Sequence, residues 1–553
     1  MNEQFSYFSR RSIKKHLAEI EFDVLIIGGG ITGCGIALDA VTRGMSTALV
    51  EMQDFSSGTS SRSTKLVHGG LRYLKQFEFS IVAEVGKERE IVYENGPHVT
   101  TPEWMLLPIY RGGTFGRFST SIGLRLYDYL AGVHKKERRK MLNRNLAIAK
   151  EPLIKKDGLK GGGYYVEYRT DDARLTIEVI KKAVEHGAKA INYVQVTDFT
   201  YENGLVNGVK VIDCITRVPF TINAKKVVNA TGPWVDQLRE KDKIENDKNL
   251  RLTKGVHLVI DHKKFPLNQS VYFDTEDGRM VFAIPRDKKT YVGTTDTIFD
   301  KEPVNPKVSL HDRRYILNCI RFMFPTIQLH EEDIESSWAG VRPLIYEKGK
   351  DPSEISRRDE IWLSSSGLIT IAGGKLTGYR KMAETVVDHV SKDFFMTKNK
   401  VYKDCQTKEL PISGGEVGGS KGFQNYKKRF ESAGIAIGLN EIEYEQLSNR
   451  YGSNIDQILD IGLRNIKDNY DLPLTLFLPL EYGIQYEMIV KPVDFFIRRT
   501  GTLYFQIDVV NKYKNRVINY MRKRLGWSDY QTKEYRLELE EQIISATTGF
   551  REC

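Results

Sequence analysis

Asp23-Val24-Leu25-Ile26-Ile27-Gly28-Gly29-Gly30-Ile31-Thr32-Gly33 opens the stretch whose reading decides the fold, and Glu51 closes its first half. An apolar run leads into a glycine turn and then into a segment of helical pattern. Residues 46–50 form a second apolar run that delivers Glu51 at its end. Gly28, Gly30 and Gly33 fit G-x-G-x-x-G. In that pattern the first glycine allows a tight turn, the second lets a pyrophosphate approach the backbone, and the third lets helix pack on strand. The helix N-terminus offers unpaired N–H groups and a positive dipole end to phosphates. An acid at the place of Glu51 suits a ribose hydroxyl pair and repels a 2′-phosphate. The glycine pattern alone is a weak signal. Strand, turn, helix, second strand and terminal acid in sequence predict an adenine-dinucleotide site. The motif does not separate NAD from FAD, although its position behind a short basic leader favours FAD.

A chain of 553 residues is long enough for two or three domains. No apolar run approaches the roughly 18 residues that span a bilayer. The N-terminus has no apolar core ahead of a small-residue cleavage site, so no secretory signal is expected. The five cysteines, Cys34, Cys214, Cys319, Cys405 and Cys553, form no C-x-x-C pair. That argues against a metal site or a disulfide framework and fits a reducing cytoplasm. Cys34, beside the glycine turn, reads as a small core residue. The net charge of +10 has no nucleic-acid recognition motif beside it. An anionic substrate or an anionic membrane surface matches it better, and ordinary surface lysine explains it equally well.

The organisation follows from pattern changes. Residues 1–20 read as a basic leader helix with Arg10, Arg11, Lys14 and Lys15. Residues 53–110 hold a second glycine-rich loop and a helix over 80–95. Residues 111–150 read as helical and basic, with the charge run 135–140 as a solvated face and a membrane-facing patch as its alternative. From Gly161 strands are expected: 164–168, then a helix over 171–185, a hairpin of 191–200 with 206–212, and a strand from Lys225 into the turn Ala230-Thr231-Gly232. Residues 251–300 are strand-rich, with turns at Asp277-Gly278 and Gly293. Residues 367–372 form a short strand, Gly373-Gly374-Lys375-Leu376-Thr377 a turn, and 379–390 a helix. The cofactor and substrate parts are expected to interleave over 21–400, with substrate-domain strands mainly in about 160–225 and 250–340. A linker is expected at 401–420 and a helical domain at 421–553.

Three strand-then-small-residue turns therefore stand on this chain: Gly28 to Gly33, Ala230 to Gly232, and Gly373-Gly374. A nicotinamide dehydrogenase needs chiefly the first, whereas an extended FAD lies along several strand ends. The chain resembles the FAD-dependent, aerobic, quinone-linked glycerol-3-phosphate dehydrogenases of the D-amino-acid-oxidase-like flavoproteins. The resemblance covers essentially the whole length. It rests on Ile26-Ile27-Gly28-Gly29-Gly30-Ile31-Thr32-Gly33, on the run from Gly58-Thr59-Ser60-Ser61-Arg62-Ser63-Thr64-Lys65 through Leu66-Val67-His68-Gly69-Gly70-Leu71-Arg72-Tyr73-Leu74, on Asn229-Ala230-Thr231-Gly232-Pro233-Trp234, on Trp338-Ala339-Gly340-Val341-Arg342-Pro343-Leu344, and on Ile371-Ala372-Gly373-Gly374-Lys375-Leu376-Thr377. The second and fourth stretches are specific to this family.

The resemblance implies an α/β fold: a Rossmann-like FAD-binding domain of the glutathione-reductase type, interleaved with a β-rich substrate domain, plus a C-terminal α-helical domain. It implies noncovalent FAD held by Gly28, Gly30, Gly33, Glu51, Ser61, Thr64, Lys65, His68, Gly69, Ala230, Gly232, Gly374, Lys375, Leu376 and Thr377. It also implies oxidation of glycerol 3-phosphate at C2, with a hydride to flavin N5 and a proton to a base. A phosphate dianion calls for fixed cations. The guanidinium of Arg342 can grip phosphate in bidentate fashion and Lys375 can add a point charge. The resemblance adds Arg72, Tyr73, His257 and Arg357 around the substrate. Each has a plainer alternative: Arg342 as an ion-pair partner, Lys375 on the flavin, His257 as a core histidine, His68 as a loop brace. His257 is the natural base, with a tuned arginine or solvent as alternatives.

The family contains quinone-linked dehydrogenases and oxygen-using oxidases. The oxidases carry an extra segment in the substrate domain, and no long insertion separates Trp234 from Trp338. The implied partners are therefore glycerol 3-phosphate, a membrane quinone and an anionic membrane surface, with a homodimer possible and no nucleic acid. The implied location is cytoplasmic, at the inner face of the cell membrane, and the alternative function is a glycerol-3-phosphate oxidase. A dinucleotide binder without turnover and an amine or amino-acid oxidase fit the cationic shell less well.

Overall fold

The computed structural model describes residues 5–68, 79–113, 137–242, 248–346, 359–465 and 469–550. Gly69, Gly70, Arg72, Tyr73, Lys135, Lys136 and Arg357 lie outside the described residues.

Two sheets share the first two thirds of the chain. The eight-stranded sheet runs Asp359–Leu363, Ile369–Gly373, Pro219–Asn229, Glu21–Ile27, Thr47–Val50 and Lys189–Ile191, with the hairpin Val194–Glu202 and Leu205–Asp213 paired onto Pro219–Asn229. Glu21–Ile27 is parallel to both its neighbours. Its last six residues are buried, because helices cover both faces. That is why it reads as a continuous apolar run rather than an alternating one. Ile31–Thr42, Asp172–Glu185 and Tyr379–Lys398 are the covering helices, and their side chains join those strands in one core. Asp171, expected as the first helical residue, is instead the N-cap of Asp172–Glu185, its carboxylate accepting from the Arg174 N–H.

The ten-stranded sheet runs Thr297–Ile298, Leu250–Asp261, Lys289–Gly293, Met280–Arg286, Ser270–Asp274, Thr100–Tyr110, Leu159–Thr170 and Leu66–Val67, with Ile334–Ile345 on Leu250–Asp261 and Lys140–Asn143 on Leu159–Thr170. Asp277-Gly278 turns between two of its strands, as expected. Gly293 does not turn: it ends a strand and pairs with both His257 and Phe282. The helical expectation for 111–150 also meets a departure in the part that is described, residues 111–113 and 137–150. Among the described residues of that span, Lys140–Asn143 is an edge strand and Arg144–Lys150 is helical. The cause lies in Gly161-Gly162-Gly163 opposite. A Cβ on Gly161 would sit 2.3 Å from the Leu142 carbonyl, so the bare backbone admits the edge strand.

From Gly419 the chain is helical: Gly419–Lys428, Glu431–Ala436, Glu441–Tyr451, Ile455–Asn465, Leu474–Tyr486, Ile507–Leu525 and Asp529–Thr547 are its main α-helices. These helices share a core with the ten-stranded sheet through Trp338, Tyr291, Tyr504 and Phe505. Residues 399–418 form neither helix nor strand and lie against the core. Ile412 is buried there, its N–H donating to the Asn95 carbonyl. The leader helix is Arg10–Glu19. Arg10 is buried on Asn192, and Lys14 pairs with Asp213 at 2.5 Å, so only Arg11 and Lys15 remain exposed of its four cations. Among the described residues no helix is long and apolar enough to cross a membrane.

Candidate dinucleotide and substrate cavity

The opening glycines have separate steric duties. Gly28 has φ +112°, and a Cβ there would lie 2.5 Å from the Ala230 carbonyl of the neighbouring strand. A Cβ on Gly33 would lie 1.9 Å from the Gly28 carbonyl, which seals helix onto turn. Gly30 caps the helix, whose first N–H, on Ile31, donates to Ser60 Oγ at 2.9 Å. Glu51 accepts from the N–H groups of Gly29 and Gln53 at 2.7 and 2.8 Å. Burial pushes its carboxyl up, and those two N–H groups oppose the rise.

The second turn, Ala230-Thr231-Gly232, is fixed by the Thr231 hydroxyl donating to Asn229 Oδ1 at 2.7 Å. The third holds two glycines of positive φ, Gly373 at +76° and Gly374 at +84°. Thr377, just beyond, clasps His68: its hydroxyl accepts from the His68 N–H and donates to the His68 carbonyl, both at 3.2 Å.

All three turns open on one cavity of about 940 Å³. Its wall contains Gly28, Gly30, Glu51, Thr64, His68, Ala230, Gly232, Gly374, Lys375, Leu376 and Thr377, together with His257 and Arg342. Gly33, Ser61 and Lys65 are outside the wall. Lys65 is turned away from it: its ammonium is 2.6 Å from Asp172 and 3.1 Å from the Ser61 carbonyl. It braces the loop and contributes no free charge to a ligand.

At the far end, Leu250–Asp261 and Ile334–Ile345 pair so that Gly255 faces Gly340 and His257 faces Trp338. The His257 ring stacks on Trp338 at 4.8 Å, 12° from parallel, and its Nε2 is 3.0 Å from Thr64 Oγ1. A Cβ on Gly293 would lie 2.2 Å from that ring, so the glycine makes room for it. Burial, then the Arg342 and Lys65 charges, hold the imidazole well below its ordinary pKa, so it is neutral. Arg342 lies over Gly255, where a Cβ would be 2.2 Å from Nη2. It donates to the Thr295 carbonyl and Asp296 at 3.1 Å and to Thr294 Oγ1 at 2.8 Å.

Sequence reasoning missed several wall residues. Tyr272 and Phe282 stack across neighbouring strands at 4.1 Å. Alternation within those strands was the available signal. Asp296, the partner of Arg342, carried none.

The wall fits an extended FAD. Three parallel-strand ends bring glycine turns to the wall, an acid stands at the ribose position, and the Ser57 hydroxyl in the wall is buried without a partner among the described residues.

Comparison with known proteins agrees. Residues 23–380 match the family described as FAD dependent oxidoreductase, and residues 405–532 match the C-terminal domain of alpha-glycerophosphate oxidase. Aerobic glycerol-3-phosphate dehydrogenases of Staphylococcus epidermidis and Staphylococcus aureus are each 59% identical over 98% of this chain and 98% of their own. The glycerol-3-phosphate dehydrogenase of Bacillus halodurans, solved in complex with FAD, has a TM-score of 0.86 at 46% identity, covering 99% of this chain and 100% of that one. The L-alpha-glycerophosphate oxidase of Mycoplasma pneumoniae, solved with FAD bound, shares the fold at TM-score 0.55 and 17% identity, over 70% of this chain and 97% of its own. With the glycine turns gathered on one cavity and these likenesses spanning nearly its whole length, the chain belongs to the FAD-dependent oxidoreductases, within the family of aerobic glycerol-3-phosphate dehydrogenases.

Proposed function

We propose that this chain oxidises sn-glycerol 3-phosphate to dihydroxyacetone phosphate and passes the electrons to a membrane quinone. The observation that carries this reading is the joining of Arg342, Lys375 and a neutral His257 to the cavity that holds the glycine turns. FAD, when bound, supplies the acceptor for the C2 hydride. Arg342 keeps its guanidinium oriented by Thr294, Thr295 and Asp296, and Lys375 adds a second positive charge for the phosphate. His257 stays unprotonated at neutral pH, the form needed to accept the C2 hydroxyl proton. The Thr64 hydroxyl and the Trp338 ring fix its orientation. Arg72, Tyr73 and Arg357, which lie outside the described residues, are proposed to act on the substrate as well.

Anaerobic addition of glycerol 3-phosphate is expected to bleach the flavin absorbance, while glycerol and amino acids leave it intact. No bleaching by glycerol 3-phosphate overturns the proposal. The net charge of +10 supports work at the inner, anionic face of the cell membrane. Cosedimentation with anionic vesicles at low salt tests that placement. A second reading, electron transfer to oxygen, draws on the match of residues 405–532 to an oxidase domain. Peroxide release that equals substrate consumption in the presence of a quinone analogue would favour it.

A further inference from the structure

Arg62 differs from Arg342, Lys65, Arg498 and Arg499 in its surroundings. It is half-buried and part of the cavity wall. Arg342 has Asp296, Lys65 has Asp172, and Arg498 and Arg499 have Asp54. No carboxylate or hydrogen-bond acceptor pairs with the Arg62 guanidinium among the described residues. Burial lowers its pKa, the Tyr504 phenol opposes that, and the like charge of Arg498 adds to it. A cation in such surroundings without a carboxylate is costly, and an anion in the cavity removes the cost.

Its backbone is fixed from two sides. The short turn Thr59–Ser61 precedes it, and the Arg62 N–H donates to the Thr59 carbonyl at 3.1 Å. In that turn Ser60 Oγ takes the first N–H of the glycine-capped helix, and the Thr59 hydroxyl donates to the Val341 carbonyl at 2.6 Å. The Arg62 carbonyl itself is pressed against Gly340, where a Cβ would lie 2.4 Å away. Arg62 thus stands between the helix start that faces a pyrophosphate and the strand that carries Arg342.

We propose that Arg62 holds a phosphate group in the cavity, through the planar fork of its guanidinium. That phosphate belongs to the dinucleotide or to the substrate, and the inference rests on the reading of the cavity as a site for FAD and a phosphorylated alcohol. Arg62 is a binding residue that the glycine fingerprint does not reveal.

Arg62→Gln and Arg62→Lys test it on the holoenzyme. One arm follows flavin fluorescence as the holoenzyme is diluted. The other measures KM and kcat for glycerol 3-phosphate with excess FAD, and inhibition by inorganic phosphate. Loss of a charge-assisted pair is expected to weaken the affected ligand about tenfold to a hundredfold, with partial recovery in the Lys variant. Earlier flavin release at unchanged KM assigns the dinucleotide phosphate. A raised KM with weakened phosphate inhibition, at unchanged kcat and flavin retention, assigns the substrate phosphate. Unchanged flavin release and unchanged KM in a Gln variant with wild-type melting overturns the inference. If wild-type flavin bleaches with glycerol 3-phosphate, that failure leaves the proposed function standing.

Discussion

Glycine placement at the substrate end converts single atoms into affinity. Arg342 can lie flat on the sheet only because residue 255 lacks a Cβ. Arg342→Ala is expected to raise KM for glycerol 3-phosphate by about tenfold or more, as loss of a charged hydrogen-bond donor does. Gly255→Ala should raise KM in the same direction while every cation is retained, because the new methyl displaces the guanidinium. Steady-state kinetics at saturating FAD read both effects, and an unchanged KM in Arg342→Ala removes the residue from the phosphate shell. His98 reports a different property. Its ring is buried against Gly414 and Gly452, and burial, then Arg174 and Lys181, push its pKa down to about 3. The unfolded chain binds a proton at this ring near the ordinary value, about 6.5, whereas the folded protein does not. Stability from this site is therefore complete above that value and falls as pH drops from there toward 3, by about 1.4 kcal/mol per unit. His257 is depressed in the same direction and adds to the loss. Urea midpoints at pH 7 and pH 5 should show it, and His98→Gln should flatten the dependence even where it lowers stability overall.

At the scale of elements, what could be read in the sequence depended on whether local pattern and tertiary pairing agreed. The opening strand, turn and helix were legible because steric need writes glycines at fixed spacing and double burial writes a continuous apolar run. The helix at Tyr379–Lys398 was found but read too short, since its last turns carry lysines that look like a solvated loop. The Lys140–Asn143 strand was misread as helix because its structure is set by the glycines at 161–163, which lie far along the chain. In the site, Gly28 and Gly374 announce themselves by residue type, whereas Tyr272 and Phe282 enter through sheet register and Asp296 through the loop between Lys289–Gly293 and Thr297–Ile298. Lys65 shows the opposite error: it sits within a motif run, yet Asp172 takes its charge. The glycine duties give the prediction for this scale. Gly33→Ala forces a methyl to 1.9 Å from a carbonyl and must open the helix from the turn, so flavin should be lost. Gly30→Ala meets only Ser60 Oγ, at 3.2 Å, so any flavin it loses is lost through the cavity side. The flavin-to-protein absorbance ratio after gel filtration should fall in both, with a lowered melting temperature only in Gly33→Ala.

The molecule as a whole is joined by a buried ionic chain that ties the cofactor loop to the C-terminal helices. Asp54 lies three residues after Glu51, in the loop that also supplies Gln53 and Ser57 to the cavity wall. Its carboxylate accepts from Arg498 at 2.6 Å and Arg499 at 2.8 Å, and from Asn192 at 2.9 Å. Arg499 continues to the Glu487 carbonyl at 2.7 Å. Glu487 accepts from Arg174 at 2.9 Å, and Arg174 reaches Glu178 at 2.8 Å. Burial pushes Asp54 up, but Arg499 and Arg498 outweigh it and hold the carboxyl at about 2. Every member is nine-tenths buried or more, so the value of the chain lies in its completeness: a matched set is tolerated, while a missing partner leaves an uncompensated charge. Asp54→Asn removes the carboxylate that both guanidiniums share, leaving Arg498 on Asp494 and Arg499 on Glu487, and is expected to cost about 3 kcal/mol, the low end for a broken buried pair. Replacing Asp54 and Arg499 together by apolar residues should cost less than the two single changes summed, since the pair is removed as a unit. Because Asp54 anchors the loop that carries the wall, flavin release should move down in temperature together with the circular-dichroism melt in Asp54→Asn. If flavin instead stays bound to the wild-type temperature while part of the helical signal is lost early, the C-terminal helices fold apart from the cofactor loop, and the ionic chain does not couple them.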